Sequence, residues 1–337
     1  MYIREKLQMQ SISAYAGARK DYAQGGGGNT SVKLDERLMA IKASGYTLAE
    51  ITQDKGYVTV DYQKIRQYYT SVNRLLQKDY EKESAALNMD SIVMLEGMER
   101  KRPSVEVGFH SFLKTCVIHT HSVYANVLCC SEEGRRVAQD ILPDMSHVFI
   151  PYINPGFDLT LAVKQAIDTF EANKGMQPDL IFMENHGFIT HGEDDKTAIA
   201  LHERANERIC EYYGLDAYPE PQIVKTQNGY ASGTVYLKQA MAEHHIDEAF
   251  LSRLRLYPDQ LVYLGGKMGT TILLDGGAPE YAAGEKEAIT IEETLLGVVY
   301  VVGMIKKAGL TLKQMDEKGA DFINNWESEK YRSGLIK

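Results

Sequence analysis

Apolar residues along this chain fall in short runs separated by polar, helix-forming stretches. Residues 1–24 read as a helix leading into Gly25-Gly26-Gly27-Gly28. Strand-like pieces follow at Ser31–Leu34 and Leu38–Ala43, the second ending at Ser44-Gly45. Thr59-Val60 closes another short strand before a polar, helix-forming stretch over 62–87. After Arg102-Pro103 the spacing predicts a helix over Ser104–Leu113. The run Cys116-Val117-Ile118-His119-Thr120-His121 is short and rich in β-branched residues, which predicts a buried strand. Ala125–Cys130 reads as helix, and Val148–Tyr152 as a strand with a turn at Asn154-Pro155-Gly156. Leu159–Asn173 carries a helical pattern. Leu180–Met183 is a further buried strand that stops at Glu184-Asn185-His186-Gly187, and a long charged helix runs from about Asp194 to Tyr213. Strands alternating with helices in this way predict a layered α/β domain.

Tyr218-Pro219-Glu220-Pro221 breaks any continuing helix and is the best candidate boundary. It divides the chain into a main domain at 1–217 and an extension at 218–337 packed on it. The 337 residues agree with that division, at roughly 150 residues per domain. In the extension the pattern predicts two or three helices, with turns at Gly265-Gly266 and Gly276-Gly277. Tyr257–Gln260 reads as a turn into a strand-like Leu261–Leu264, and Leu295–Ile305 as a buried helix. No catalytic motif stands out there.

Charge narrows the range of partners. With 37 basic and 46 acidic residues, the net charge of −9 argues against nucleic-acid backbones and anionic membranes. A small anionic substrate needs only a few local donors and stays compatible. Four cysteines, two of them adjacent at Cys129-Cys130, do not make a disulfide framework. The start of the chain lacks a signal-like apolar run, and apolar stretches such as Leu295–Ile305 are shorter than the ~18 residues of a spanning segment. The expectation is a cytoplasmic protein with reduced thiols.

Histidine placement carries the chemistry. On a strand, His119 and His121 project from one face, as two ligands of a divalent metal would, although a His-x-His pair also occurs in ordinary cores. A third ligand is needed. His186 follows a buried strand in a tight turn that would expose its ring, and His191 lies close enough in sequence to compete for the role. Three histidines with an open position are the catalytic arrangement of zinc. Glu106 could serve as general acid or base near such an ion, or merely complement a helix start. Gly25–Ser31 offers backbone N–H groups, an amide and two hydroxyls suited to a phosphate or carboxylate, or a simple flexible turn.

Taken in order, Gly27-Gly28-Asn29-Thr30-Ser31, Ser44-Gly45, Pro103-Ser104-Val105-Glu106, His119-Thr120-His121 and Asn185-His186-Gly187 make the chain resemble the class II aldolase/adducin family. That family includes L-fuculose-1-phosphate and L-rhamnulose-1-phosphate aldolases. The likeness spans roughly residues 10–215. Pro151-Tyr152, Pro155-Gly156 and Leu159 are similar to the family's stretch between the metal histidines. The resemblance implies one zinc ion per chain on His119, His121 and His186, other divalent transition metals being alternatives. It also implies Glu106 as acid/base and an anion pocket from Gly28, Asn29, Ser44, Gly45 and Ser104. The implied fold is α/β, a central antiparallel sheet flanked by helices, with a C-terminal helical appendage. A homo-oligomer, tetramer favoured, with sites at subunit interfaces, goes with it.

The activity so implied is cleavage of a ketose 1-phosphate to dihydroxyacetone phosphate and an aldehyde, the charge on the enediolate being stabilised as it develops. Three features depart from the short sugar-phosphate aldolases. Val105 stands where they carry a second serine, as in the longer rhamnulose-type members, and so favours a substrate without the usual phosphate. The segment between Gly45 and Ser104 is longer, and about 115 residues follow the shared domain. An epimerase, a dehydratase or a keto-acid aldolase is the alternative enzyme, and an adducin-like scaffold the non-catalytic one. Retention of three histidines and Glu106 speaks against the scaffold.

Overall fold

A computed structural model of the chain describes residues 1–274, 276–326 and 334. Helix α1 (Ile3–Gly17) precedes a seven-stranded sheet built from β1 (Asn29–Lys33), β2 (Leu38–Lys42), β3 (Tyr57–Asp61), and later strands. Between β3 and β4 (Cys116–Thr120) lie α2 (Tyr62–Ser71), α3 (Tyr80–Asp90) and the single turn α4 (Val107–His110). Then come α5 (Val123–Cys129), α6 (Gly134–Ile141), β5 (His147–Ile150), α7 (Phe157–Lys174), β6 (Leu180–Met183), β7 (Gly187–Gly192) and α8 (Asp195–Tyr213). The strand order is β3-β2-β1-β4-β7-β6-β5, and every pairing is antiparallel except β5 with β6. The α/β sheet flanked by helices agrees with the expected class.

Both faces of the sheet are buried, which is why its strands read as apolar runs rather than simple alternation. Met39, Ile41 and Val117 join a cluster with Ile65, Phe109 and Val163 on one face. Leu38, Ala40, Cys116 and Ile118 join Met9, Ile12 and Ala16 of α1 on the other. The antiparallel pairings also gather certain strand ends. Asn29 at the start of β1 lies opposite His119 near the end of β4, and Thr120 lies opposite Phe188 at the start of β7. One end of these strands therefore collects three chain segments.

Several elements differ from the sequence expectation. The stretch 62–87 is two helices, because Asn73 turns the chain through its side chain and Asp79 caps α3 by accepting from the Lys82 N–H. The helix expected over 104–113 shrinks to α4. The Ser104 N–H donates to the Lys42 carbonyl, and Pro103 bridges to Ala43, so this segment extends the sheet edge instead of coiling. β7 was not anticipated: Glu184–His186 is the turn of a β6–β7 hairpin, with Asn185 at φ 51°.

Beyond Tyr213 the chain forms β8 (Ile223–Thr226), β9 (Gly229–Ser232), α9 (Val235–Glu243), α10 (Glu248–Arg253) and α11 (Pro258–Leu264). It continues with β10 (Ile272–Leu273), β11 (Glu280–Tyr281), α12 (Glu285–Lys307) and α13 (Glu317–Asn325). The region is helical as expected, but it also holds a four-stranded sheet, β10-β11-β9-β8. Leu261–Leu264 is helix, not strand. Pro258 at its first helical position starts the turn, and a four-residue apolar run fits either state. α12 is long and apolar enough to cross a membrane, yet 94% of its apolar window is buried inside the protein, which marks a core helix. Its Leu295–Ile305 segment shares one core with α5. Glu292 pins it to the small sheet by accepting from Ser232, Thr234 and Tyr281 hydroxyls.

Candidate active site

The gathered strand ends open into a cavity of about 380 Å³. His121, from just beyond β4, and His186, from the β6–β7 turn, line it, and His119 of β4 lies buried beside them. All three rings are buried, and a ligand atom from each lies within 4.8 Å of the others. The His119 and His121 Nε2 atoms are 3.2 Å apart. The His119 Nδ1–H donates to the Phe188 carbonyl (3.1 Å) and the His121 Nδ1–H to Asp259, which leaves both Nε2 lone pairs directed into the cluster. Burial pushes His119 down to about 3, so its imidazole is neutral at physiological pH. Convergent imidazoles, two of them with Nδ1 already engaged and His186 with a buried Nδ1 that has no partner, fit a divalent transition metal. His191 does not compete, because it sits at the far end of β7, where its Nδ1 accepts from the Lys114 N–H.

Glu106 faces this cluster. Its Oε1 is 3.1 Å from His186 Nε2 and its Oε2 3.4 Å from His119 Nε2. Burial alone would raise its pKa, but the imidazoles around it outweigh that effect and hold it well below the ordinary carboxylate range. A polarised chain of donors backs the carboxylate. Burial holds His110 neutral, down to about 3. Its Nε2–H donates to Asn29 Oδ1 (2.5 Å), its Nδ1 accepts from the Ser31 hydroxyl (2.7 Å), and Asn29 Nδ2 donates to Glu106 Oε2 (2.6 Å). Each donor points toward Glu106, which fixes its orientation.

The remaining expected residues line the same cavity. Gly28 has φ 72°, and a Cβ there would lie 2.7 Å from the His119 carbonyl oxygen, so the close crossing of turn and strand requires glycine. Ser44 donates to the Pro103 carbonyl (3.0 Å) and ties the Ser104–Glu106 segment to the Ser44-Gly45 turn. Ser104 and Val105 form the neighbouring wall. The side-chain amide of Asn29, expected in the anion pocket, lines the cavity and is held by Glu106 and His110.

Other contributors were not legible in the sequence. Lys42, at the end of β2, and Tyr46 line the cavity beside Ser44. Tyr263 of α11 and Thr290 and Glu293 of α12 close the opposite side. Glu293 accepts from the Gly25 N–H (2.7 Å) and pairs with Lys20 (2.6 Å). His110 had one local signal, its position four residues after Glu106. Asp259 and Glu293 had none, since only the fold brings a segment without a motif against His121 and Gly25.

Fold and site together define an α/β protein with a three-histidine centre faced by a carboxylate at one end of the strands. The chain belongs to the class II aldolase/adducin family: the family's sequence model, "Class II Aldolase and Adducin N-terminal domain", matches residues 9–213. A curated relative, the "Uncharacterized oxidoreductase YuxG" of Bacillus subtilis (strain 168), is 30% identical over 190 residues, 54% of this chain and 25% of that protein. The chain thus spans about a quarter of that relative's length. The N-terminal class II aldolase domain of a conserved Thermoplasma acidophilum protein superposes with TM-score 0.52 at 26% identity, over 61% of this chain and 92% of the other. YgbL from Klebsiella pneumoniae, described as a putative aldolase/epimerase/decarboxylase, reaches TM-score 0.46 at 18% identity, over 64% and 90%.

Proposed function

We propose that this protein is a zinc-dependent aldolase that cleaves a ketose 1-phosphate to dihydroxyacetone phosphate and an aldehyde. The observation that carries the reading is Glu106, buried and oriented by Asn29, facing the Nε2 atoms of His119 and His186 beside a cavity. His119, His121 and His186 would hold the ion, which when bound supplies Lewis-acid stabilisation of negative charge on the substrate oxygens. Glu106 moves the proton to or from the carbon that keeps the electron pair when the carbon–carbon bond breaks. Asn29 and His110 keep that carboxylate aimed. The anionic end of the substrate lies against Ser44, Gly45 and Ser104, with Lys42 in the same wall supplying positive charge that offsets the hydroxyl missing at Val105. The setting is a cytoplasmic homo-oligomer, tetramer favoured.

Val105 in the cavity wall favours a second reading, the same proton transfer on an unphosphorylated keto acid or in a dehydration. The deciding experiment gives metal-quantified protein a panel of ketose 1-phosphates and follows dihydroxyacetone phosphate with and without a chelator. Chelator-sensitive release supports the aldolase. Silence across the panel with one zinc per chain overturns it in favour of the second reading. Silence without metal returns the scaffold.

A further inference from the structure

The matched family region ends at residue 213, yet the chain beyond it reaches three separate parts of the site. In α11, Asp259 accepts from His121 Nδ1–H, with both side chains buried. In α12, Glu293 accepts from the Gly25 N–H that opens the glycine turn. The Asn185 amide, one residue before His186, donates to the carbonyls of Leu256 (2.8 Å) and Lys313 (2.9 Å). The first of these tethers lies at a crowded crossing. A Cβ on Gly27 would lie 2.4 Å from Asp259 Oδ2 and 2.8 Å from His121 Nδ1, so the glycine turn, the histidine strand and α11 pack there with no room for a side chain.

We propose that Asp259, supplied by the C-terminal segment, is a positioning carboxylate for the metal centre: it fixes His121 as the Nδ1–H tautomer and so turns the Nε2 lone pair toward His119 and His186. The inference rests on the reading of those three histidines as metal ligands. A carboxylate behind a ligating imidazole also makes the ring a stronger donor, an effect commonly worth about 10–100-fold in metal affinity. The alternative, a plain packing contact, predicts neither tautomer control nor an effect on affinity. The C-terminal segment is thereby part of the site, and metal retention depends on its docking.

Two measurements on the full chain test this without using turnover. Imidazole 15N–1H correlation spectra of the metal-free protein report the His121 tautomer directly. Zinc affinity comes from competition with a chromophoric chelator. Wild type is expected to show His121 protonated at Nδ1, and Asp259→Ala a mixture of tautomers. Zinc affinity should fall about 10–100-fold in Asp259→Ala and by less in Asp259→Asn, whose amide oxygen can still accept from Nδ1–H. An Nε2–H tautomer in wild type overturns the proposal, and so does unchanged zinc affinity in both folded variants. Should zinc bind as expected while every ketose phosphate is inert, the proposed reaction fails and the assignment of Asp259 stands.

Discussion

Lowering the pH from 7 to 5.5 should destabilise the metal-free protein through histidines that are buried uncharged. Away from the metal cluster, His110, His191 and His202 are fully buried, and burial pushes each down to about 3 from the ordinary 6.5. The sign follows directly. Between pH 3 and 6.5 the unfolded chain binds protons that the folded protein refuses, so stability is present above the unfolded value and is lost as pH falls through it. From pH 7 to 5.5 each ring costs about 1.2 kcal/mol, and the three together about 4 kcal/mol. A domain is typically stable by about 5–15 kcal/mol, so the loss is large. Glu81 and Glu292, whose carboxyls are raised by burial, pull the other way. A single substitution isolates the effect. His202 sits against Tyr22 and Phe188, bonded to the Thr120 hydroxyl (2.7 Å). His202→Phe loses that bond and those with Tyr15 and Asn206 at every pH, at about 1–3 kcal/mol for each partner left unsatisfied, but should also remove about 1.2 kcal/mol from the difference between pH 7 and 5.5. Urea denaturation in EDTA at the two pH values reads both quantities. An unchanged pH difference in the variant would refute the argument that His202 is neutral through burial.

Three further outcomes bear on the site. Glu106→Gln should keep fold and bound metal while turnover drops about 10²–10⁴-fold, read by coupled detection of dihydroxyacetone phosphate; near-normal turnover removes Glu106 from the reaction. His186→Ala should lose bound zinc on elemental analysis of the purified protein, and retained one-to-one stoichiometry would remove His186 from the ligand set. Gly27→Ala forces a methyl onto the Asp259–His121 contact, so thermal melts should report a loss of about 1–3 kcal/mol and chelators should strip zinc faster. A variant as stable and as metal-retentive as wild type would mean that the crossing relaxes without cost.

Local chemistry along the chain was enough for the layered α/β class and for most strands of the main sheet, while the expected anion-pocket residues and the role of Glu106 came from the resemblance to the family. Period-two alternation groups His119 with His121, which lies one residue past the end of β4, whereas the His186 ring, expected to be exposed in its turn, is buried. What sequence left open was which of His186 and His191 joins them. The β6–β7 hairpin decides that, since antiparallel pairing puts the start of β7 beside the end of β4 and carries His191 to the opposite end. Short apolar runs were equally ambiguous. Leu261–Leu264 became helix because Pro258 starts one and the surrounding core accepts it, a choice made by packing rather than by local pattern. The polar partners were the least legible. Asp259 lies 138 residues from His121 and Glu293 lies 268 from Gly25. A hydrogen bond formed across such distances leaves no periodicity, spacing or composition in the chain, because only the folded core brings its two ends together.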